Sequence, residues 1–156
     1  GKKRFSKSSV SIVFGDKMKD YRNIIAWRRS HELVLRIYEL TEKFPKHELF
    51  GLTSQLRRAA VSVPTNIAEG YGRKSINEYL YFLNVSLGSV AELITRIIGL
   101  KEVEIINLAD FDELDKRHYE VENKLLALVR SLQVKQQDGT WDQKVHEPES
   151  DYENTP

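Results

Sequence analysis

Three of the adjacent basic pairs in this 156-residue chain are candidates for phosphate contact, at positions 28–29, 57–58 and 73–74. A guanidinium group can bind two phosphate oxygens at once, so paired arginines on a helix suit contact with a nucleic-acid backbone. The third pair precedes a predicted helix start, where free backbone N–H groups favour an anion. Alternatively, Arg58 and Arg73 pair with Glu69 and with acids of neighbouring helices. The candidate nucleic-acid-binding residues are Arg28, Arg29, Arg57, Arg58, Arg73, Lys74 and Arg96.

The other titratable residues do not form a catalytic or metal-binding motif. The chain has no cysteine, which excludes a cysteine nucleophile, thiolate metal sites and disulfides. Its four histidines are scattered and form neither an HExxH nor an ExxH pattern. The segment GYGRKS at residues 70–75 lacks the glycine spacing of a phosphate-binding loop. We therefore expect no catalytic residue, metal, cofactor or small-molecule substrate; a ribonuclease is the least favoured alternative.

A row of polar residues recurs at spacings of three and four along the predicted second helix. It lies beside Ala59, Ala60 and Gly70, whose small side chains would let another backbone approach closely. The row forms either a buried or interfacial hydrogen-bond network or an ordinary solvated face. Its members are Gln55, Arg58, Ser62, Asn66, Glu69 and Arg73.

The elements that must position these residues fit into one domain. The chain has 24 Lys and Arg against 23 Asp and Glu, a net charge of +1 that indicates no particular partner. The charge is uneven, because the first 19 residues are basic and the last 19 are acidic. We expect a basic N-terminal arm over 1–20 (flexible or a short strand), a bundle domain over 21–135, and an acidic disordered tail over 136–156. No run is long enough to cross a bilayer, which favours a cytoplasmic protein.

Four helical patterns fill the bundle domain, and no convincing strand is present. The first runs from about 24 to 44 and ends at Pro45. The second begins near 48 and contains Pro64, where we expect a kink or a break. Residues 65 and 66 are the candidate caps of a helix that restarts there. The third is capped by Ser75 with Glu78 and runs to about 103. The fourth begins at residue 110 or 112 and carries a heptad seam, so the prediction is an all-α, antiparallel four-helix bundle.

The third predicted helix is apolar on more than one side. Leu80, Leu83, Leu87, Val90, Ile94 and Ile97 form one row, with further apolar residues outside it. One bundle core cannot cover such a helix, so the pattern predicts self-association through an apolar surface. Alternatively, the helix is covered by the arm and tail of its own chain. The expected oligomer interface contains Trp27, Tyr38, Tyr79, Tyr81 and Phe82.

The segment from 51 to 93 resembles the signature of the 23S rRNA intervening-sequence proteins, also called the four-helix-bundle family. The resemblance extends from 21 to 132 and includes QLRRA, NIAEG, GR and GS.EL, as they stand in this chain. It implies a homo-oligomeric ring, a homopentamer in characterised relatives, without enzymatic activity. The accessory variability proteins of diversity-generating retroelements are relatives; they bind a reverse transcriptase and nucleic acid.

These observations predict a non-catalytic, homo-oligomeric adaptor for RNA or a nucleoprotein. The self-association rests on the residues, whereas the RNA partner rests mainly on the resemblance. The expected partners are copies of the chain itself, structured RNA or a reverse transcriptase, and no membrane. The alternative is a pure protein–protein interaction scaffold that binds no nucleic acid.

Overall fold

The computed structural model describes residues 21–140, which are helical and contain no strand. The four main helices are α1 (Ile25–Thr41), α2 (Ser54–Tyr71), α3 (Ile76–Glu102) and α4 (Leu108–Asp138). The prediction of an all-α fold with four helices is confirmed. The basic arm and residues 141–156 of the expected tail lie outside the described residues.

Each helix packs on its neighbours in the chain, and α1 also packs on α4, so the four helices close around one core. The connections between α2 and α3 and between α3 and α4 span only four and five residues, which places these helices antiparallel. The longer α1–α2 connection contains a 3-10 turn, Lys46–Glu48, and a π-helical turn, Leu49–Thr53. A further 3-10 turn, Tyr21–Asn23, precedes α1.

The helix ends differ from the sequence prediction at four places. Helix α2 begins at Ser54, after the π-helical turn, rather than near residue 48. Helix α4 begins at Leu108 rather than at 110 or 112, because the side chain of Asn107 accepts a hydrogen bond from the Asp110 amide at 2.7 Å. It continues to Asp138, so residues 136–138 are helical although the tail was expected from 136. Helix α1 ends at Thr41, three residues earlier than expected. The predicted Ser75 cap is confirmed, with its hydroxyl accepting from the Glu78 amide.

Pro64 does not break α2, so the predicted break is wrong. Proline cannot donate to the carbonyl four residues earlier, and the next three carbonyls accept hydrogen bonds from side chains. Thr65 Oγ1 donates to the carbonyl of residue 61, Asn66 Nδ2 to that of residue 62, and Ser86 Oγ to that of residue 63. Residues 65 and 66 therefore bond back along one continuous helix and do not cap a new one.

The face of α3 that packs into the core is rotated about the helix axis relative to the apolar row that the sequence predicted. The buried positions are 79, 83, 86, 89, 90, 93, 97 and 100, all but 89 at heptad spacing, whereas Leu80, Leu87 and Ile94 are only partly buried. Tyr79 and Leu93, which the pattern placed outside the row, belong to the core. On α4 the predicted seam faces the core as expected, with Phe111 and Leu128 at its edge.

Candidate interaction surfaces

Four of the predicted nucleic-acid-binding residues lie at the end of the bundle where α1 begins and α2 ends. Arg28 donates from Nε to the carbonyl of Arg22 at 2.8 Å and therefore holds the turn before its own helix. Arg29 forms ion pairs with Glu32 and with Glu120 of α4, the latter at 2.7 Å. Both side chains therefore already bond to groups of their own chain and stabilise the fold.

The second pair at this end is Arg73 and Lys74. Arg73 pairs with Glu69, one helical turn earlier, and its guanidinium lies 4.8 Å from the ring centre of Phe82. Lys74 is exposed in the α2–α3 connection, although it has an interaction of its own. The predicted pairing of Arg73 with Glu69 is confirmed.

The other three basic residues lie in the opposite half of the bundle. Arg57 donates from Nε to Thr41 Oγ1 at 2.8 Å, and its guanidinium stacks on Tyr38 at 4.6 Å. Arg96 pairs with Glu92 at 3.0 Å and donates to Gln55 Oε1 at 2.8 Å.

Arg58 is the exception among the seven. It is exposed, and it makes no ion pair with the part of the chain that the structure describes. Arg58 lies one helical turn from Gln55. Gln55 in turn accepts a hydrogen bond from Arg96 across the surface between α2 and α3. The seven cations thus divide between the two halves of the molecule and do not form one continuous patch.

The polar row of α2 divides into separate groups and does not form one network. Ser62 and Asn66 form a partly buried group, in which Asn66 Nδ2 donates to Ser62 Oγ at 3.0 Å and Ser62 Oγ contacts Ser89 Oγ of α3 at 2.8 Å. Gln55 bonds to Arg96, and Glu69 pairs with Arg73. The row therefore fastens α2 to α3 at its centre and is solvated at its ends.

The predicted interface residues have very different exposures. Tyr81 is 62% exposed and Tyr38 is also exposed, while Trp27 and Phe82 are partly buried. Tyr79 is only 3% exposed, and burial raises the pKa of its phenol. Tyr79 was expected at an interface, but it is a core residue, because α2 covers it at Gly70, where a Cβ would lie 2.8 Å from the tyrosine ring.

The outer face of α3 is exposed and almost free of charge. Between Glu78 and Glu92 the helix has no ionisable group other than its tyrosines. The exposed positions are Tyr81, Asn84, Gly88 and Ala91, which recur every three or four residues. Among the described residues, no atom lies within 4 Å of a Cβ built on Gly88, so residues 21–140 leave this face open.

A groove of about 810 Å³ runs between α1 and α2. The Trp27 and His31 rings are stacked at 4.9 Å along one wall, and Tyr21 meets Trp27 edge-on at 5.3 Å. Val61 and Thr65 line the opposite wall, and Glu69 and Arg73 close one end. The sequence pattern identified Trp27 but missed Tyr21, which lies in a turn outside any helical period.

Two further observations concern chemistry. No group of three potential metal ligands occurs within residues 21–140. Arg36, on α1, donates to Glu113 of α4 at 2.9 Å and pairs with Asp110 at 3.0 Å. The hydrogen bond from Arg36 lowers the pKa of the Glu113 carboxyl, and Arg117 lowers it further. The bonds from Arg36 to Glu113 and Asp110 therefore join α1 to α4.

Helix α3 has the length and composition of a membrane span, and no other helix within residues 21–140 does. A core helix of a bundle can have the same properties, because it too must be apolar along its length. Leu83, Leu93 and Ile97 are fully buried against the other helices, as expected of a core helix.

The fold and these surfaces define a small helical-bundle protein with exposed apolar and arginine-bearing faces. The family described as 23S rRNA-intervening sequence protein matches residues 22–127, more than half of the chain, and the chain belongs to that family. A similar solved structure is a protein of unknown function from the S23 ribosomal protein family of Bacteroides thetaiotaomicron VPI-5482. It is 20% identical, with a TM-score of 0.64, covering 71% of this chain and 99% of that one, and so supports the fold alone. No curated protein matches the chain.

Proposed function

We propose that this protein is a non-catalytic, homo-oligomeric helical adaptor that binds RNA or an RNA-bound protein in the cytoplasm. The family to which it belongs connects it with the intervening sequences of 23S rRNA. A reverse transcriptase is the protein partner that the resemblance to retroelement proteins implies. The assembly is a ring, for which five subunits is the number implied by the same resemblance.

The observation that carries self-association is the uncharged outer face of α3. Solvated helix faces normally carry charged side chains, which keep them soluble and prevent association. This face instead offers Tyr81 beside Gly88 and Ala91, so a second helix could approach closely along the small residues and pack against the ring. Lateral contact through this face would bury surface that the single chain exposes to water.

RNA binding is supported by two of the predicted cations, Arg58 of α2 and Arg96 of α3. Arg58 is exposed and unpaired by any described acid, and Arg96 of α3 donates to Gln55, one helical turn from Arg58 on α2. One chain offers too little positive charge for strong binding to phosphates. A ring repeats Arg58 once per subunit, and contacts that are weak singly add up when one RNA spans several copies.

Binding to RNA is tested with Arg58→Glu and a structured RNA hairpin in fluorescence anisotropy. The affinity should fall steeply between low and moderate salt, and the variant should bind at least tenfold more weakly at low salt. Arg130→Glu is the matched control, since Arg130 is an exposed arginine on α4 away from this surface. Equal loss in both variants, or no binding by the parent protein at low salt, would contradict RNA recognition.

A protein–protein scaffold remains the second candidate, and the pairing of the cations favours it. Six of the seven predicted residues already interact with groups of their own chain, which reduces what they can offer to phosphate. On this alternative the parent protein would form the same oligomer but would show no salt-dependent affinity for RNA.

A further inference from the structure

The end of the bundle that carries the α1–α2 and α3–α4 connections exposes large apolar side chains. Phe50, in the π-helical turn, is 94% exposed. In the α3–α4 connection, Val103 is 66% exposed and Leu108 is 61% exposed. Isolated apolar residues are normal on a protein surface, but several at one end indicate a binding surface.

The same end contains a cleft that Phe50 does not fill. The cleft has a volume of about 630 Å³ and lies between the end of α1 and the α3–α4 connection. Its apolar lining is Leu40, Phe44, Ile105, Ile106 and Leu108, and its polar lining is Lys43, Lys101, Glu104, Asn107 and Asp110. An exposed aromatic ring and a cleft with a partly apolar lining thus occur at the same end of the molecule.

The charges around this end have both signs. Lys43, Lys46 and Lys101 lie close in sequence to the apolar residues, and so do four glutamates, at positions 42, 48, 102 and 104. Such a balance is unfavourable for a polyanion or for an anionic membrane surface, which need an excess of cations. A surface of mixed charge can instead complement another copy of itself.

The termini of the described chain leave from the opposite end. Tyr21 precedes α1 and Thr140 follows α4, so the bodies of these helices, about 25 and 45 Å long, separate the chain ends from the cleft. Neither terminal segment starts near the cleft.

We propose that this end binds a second copy of the same chain, with Phe50 of each copy inserted into the cleft of the other. A patch that carries both the inserted side chain and the cleft that receives it can bind an identical patch about a twofold axis. Each copy then supplies both halves of the contact. The pairing adds to the lateral self-association through α3 and does not depend on it. Lys43, Lys101 and Glu104 line the cleft beside its apolar residues, so each copy offers charges of both signs to the other.

The experiment uses Phe50→Asp and light scattering on the full chain. The substitution should halve the particle mass, because it places a carboxylate in the apolar cleft while leaving the lateral contacts intact. Leu35→Asp is the matched control, since Leu35 is 57% exposed on α1 outside this end, and its mass should equal that of the parent protein. Retention of the parent mass by Phe50→Asp would overturn the pairing, even if the outer face of α3 assembles as proposed.

Cross-linking identifies the contact directly, because the chain has no cysteine of its own. A protein carrying Leu49→Cys and Leu108→Cys, with Phe50 intact, should give closed covalent dimers with a short bis-maleimide on a denaturing gel, since Leu49 is exposed beside Phe50. A protein carrying Leu49→Cys and Leu35→Cys should give none. A ladder of higher species would show head-to-tail contact, and uncross-linked chains would show another occupant of the cleft; either result overturns the twofold pairing.

Discussion

Gly70 determines how closely α2 and α3 can approach each other. A Cβ built at this position would lie 2.8 Å from the Tyr79 ring and 2.9 Å from the Phe82 Cβ. Both distances are shorter than real carbon contacts, and the Phe82 atom is fixed to its backbone. The glycine is therefore required by close helix packing, which brings Tyr79 into the core.

Gly70→Ala should destabilise the protein by about 1–3 kcal/mol, because the overpacking outweighs the gain in helix propensity. Gly99→Ala is the matched control, since it is also helical but no atom lies within 4 Å of its Cβ position. That variant should be more stable by up to about 1 kcal/mol. Urea unfolding measures both free energies, and a neutral Gly70→Ala would contradict the close approach.

How far the sequence predicts individual residues depends on whether the property is local. The Ser75 cap and the Glu69–Arg73 pair follow from spacing along one helix, and both are found. The burial of Tyr79 depends on the rotation of α3 against α2, which a row of apolar residues on several sides does not determine. The same limit explains the partners of Arg29 and Arg96, which lie on other helices.

At the scale of elements, the end of α3 contains a residue in an unfavourable conformation. Glu104 has φ of +60°, in the left-handed region that usually requires glycine. The amide of Glu104 donates to the carbonyl of Lys101, and that of Ile105 donates to the carbonyl of Leu100. These two bonds are a Schellman motif, in which the left-handed position ends the helix.

Glu104→Gly should stabilise the protein by about 1 kcal/mol, because glycine adopts this conformation without a steric cost. Glu102→Gly provides the comparison, since residue 102 is still helical and glycine there should cost about 1 kcal/mol. Thermal unfolding of the two variants should shift in opposite directions. Shifts of the same sign would contradict the role of the left-handed position.

The contact between α1 and α4 depends on pH through Glu113. Its pKa is lowered in the folded protein by the hydrogen bond from Arg36, so its contribution to stability is complete above the ordinary value of 4.5. The contribution is lost as the pH falls through the lowered, folded-state pKa. Glu113→Gln should therefore reduce the free energy of unfolding at pH 7, and the difference from the parent should vanish in acid.

A double-mutant cycle with Arg36→Met assigns this effect to the pair. The coupling between the two positions should be favourable at neutral pH and should disappear once the pH falls below the lowered pKa of Glu113, where its carboxylate is protonated. A coupling that stays constant over this range would show that the carboxylate does not act through its charge. The cycle is measured by urea unfolding, which reports the free energy directly.

The helices themselves are largely predictable from the sequence, and their ends less so. Apolar periodicity identified all four, since each must bury one face in the shared core. The continuity of α2 through Pro64 was not predictable, because it depends partly on Ser86 of another helix. The start of α4 was misplaced because several acidic residues follow the true cap, Asn107.

At the scale of the whole molecule, the basic side chains and the exposed apolar side chains are distributed differently. The seven predicted cations divide between the two halves, so residues 21–140 do not bring them together on one basic face. In contrast, the outer face of α3 exposes one large apolar side chain, Tyr81, among uncharged residues, and the end with Phe50 exposes several. Periodicity predicted the first of these surfaces, whereas the second lies on connections, which have no periodic signal.

Assembly through the outer face of α3 is tested with Tyr81→Glu. A carboxylate at this exposed position should reduce the oligomer to smaller species, because burying an unpaired charge is costly. The single chain should remain folded, since Tyr81 is 62% exposed and outside the core. Ala127→Glu is the control, because it adds the same charge on an exposed face of α4. Light scattering should give a lower mass for Tyr81→Glu alone, and a parent protein already at 18.1 kDa would contradict the assembly.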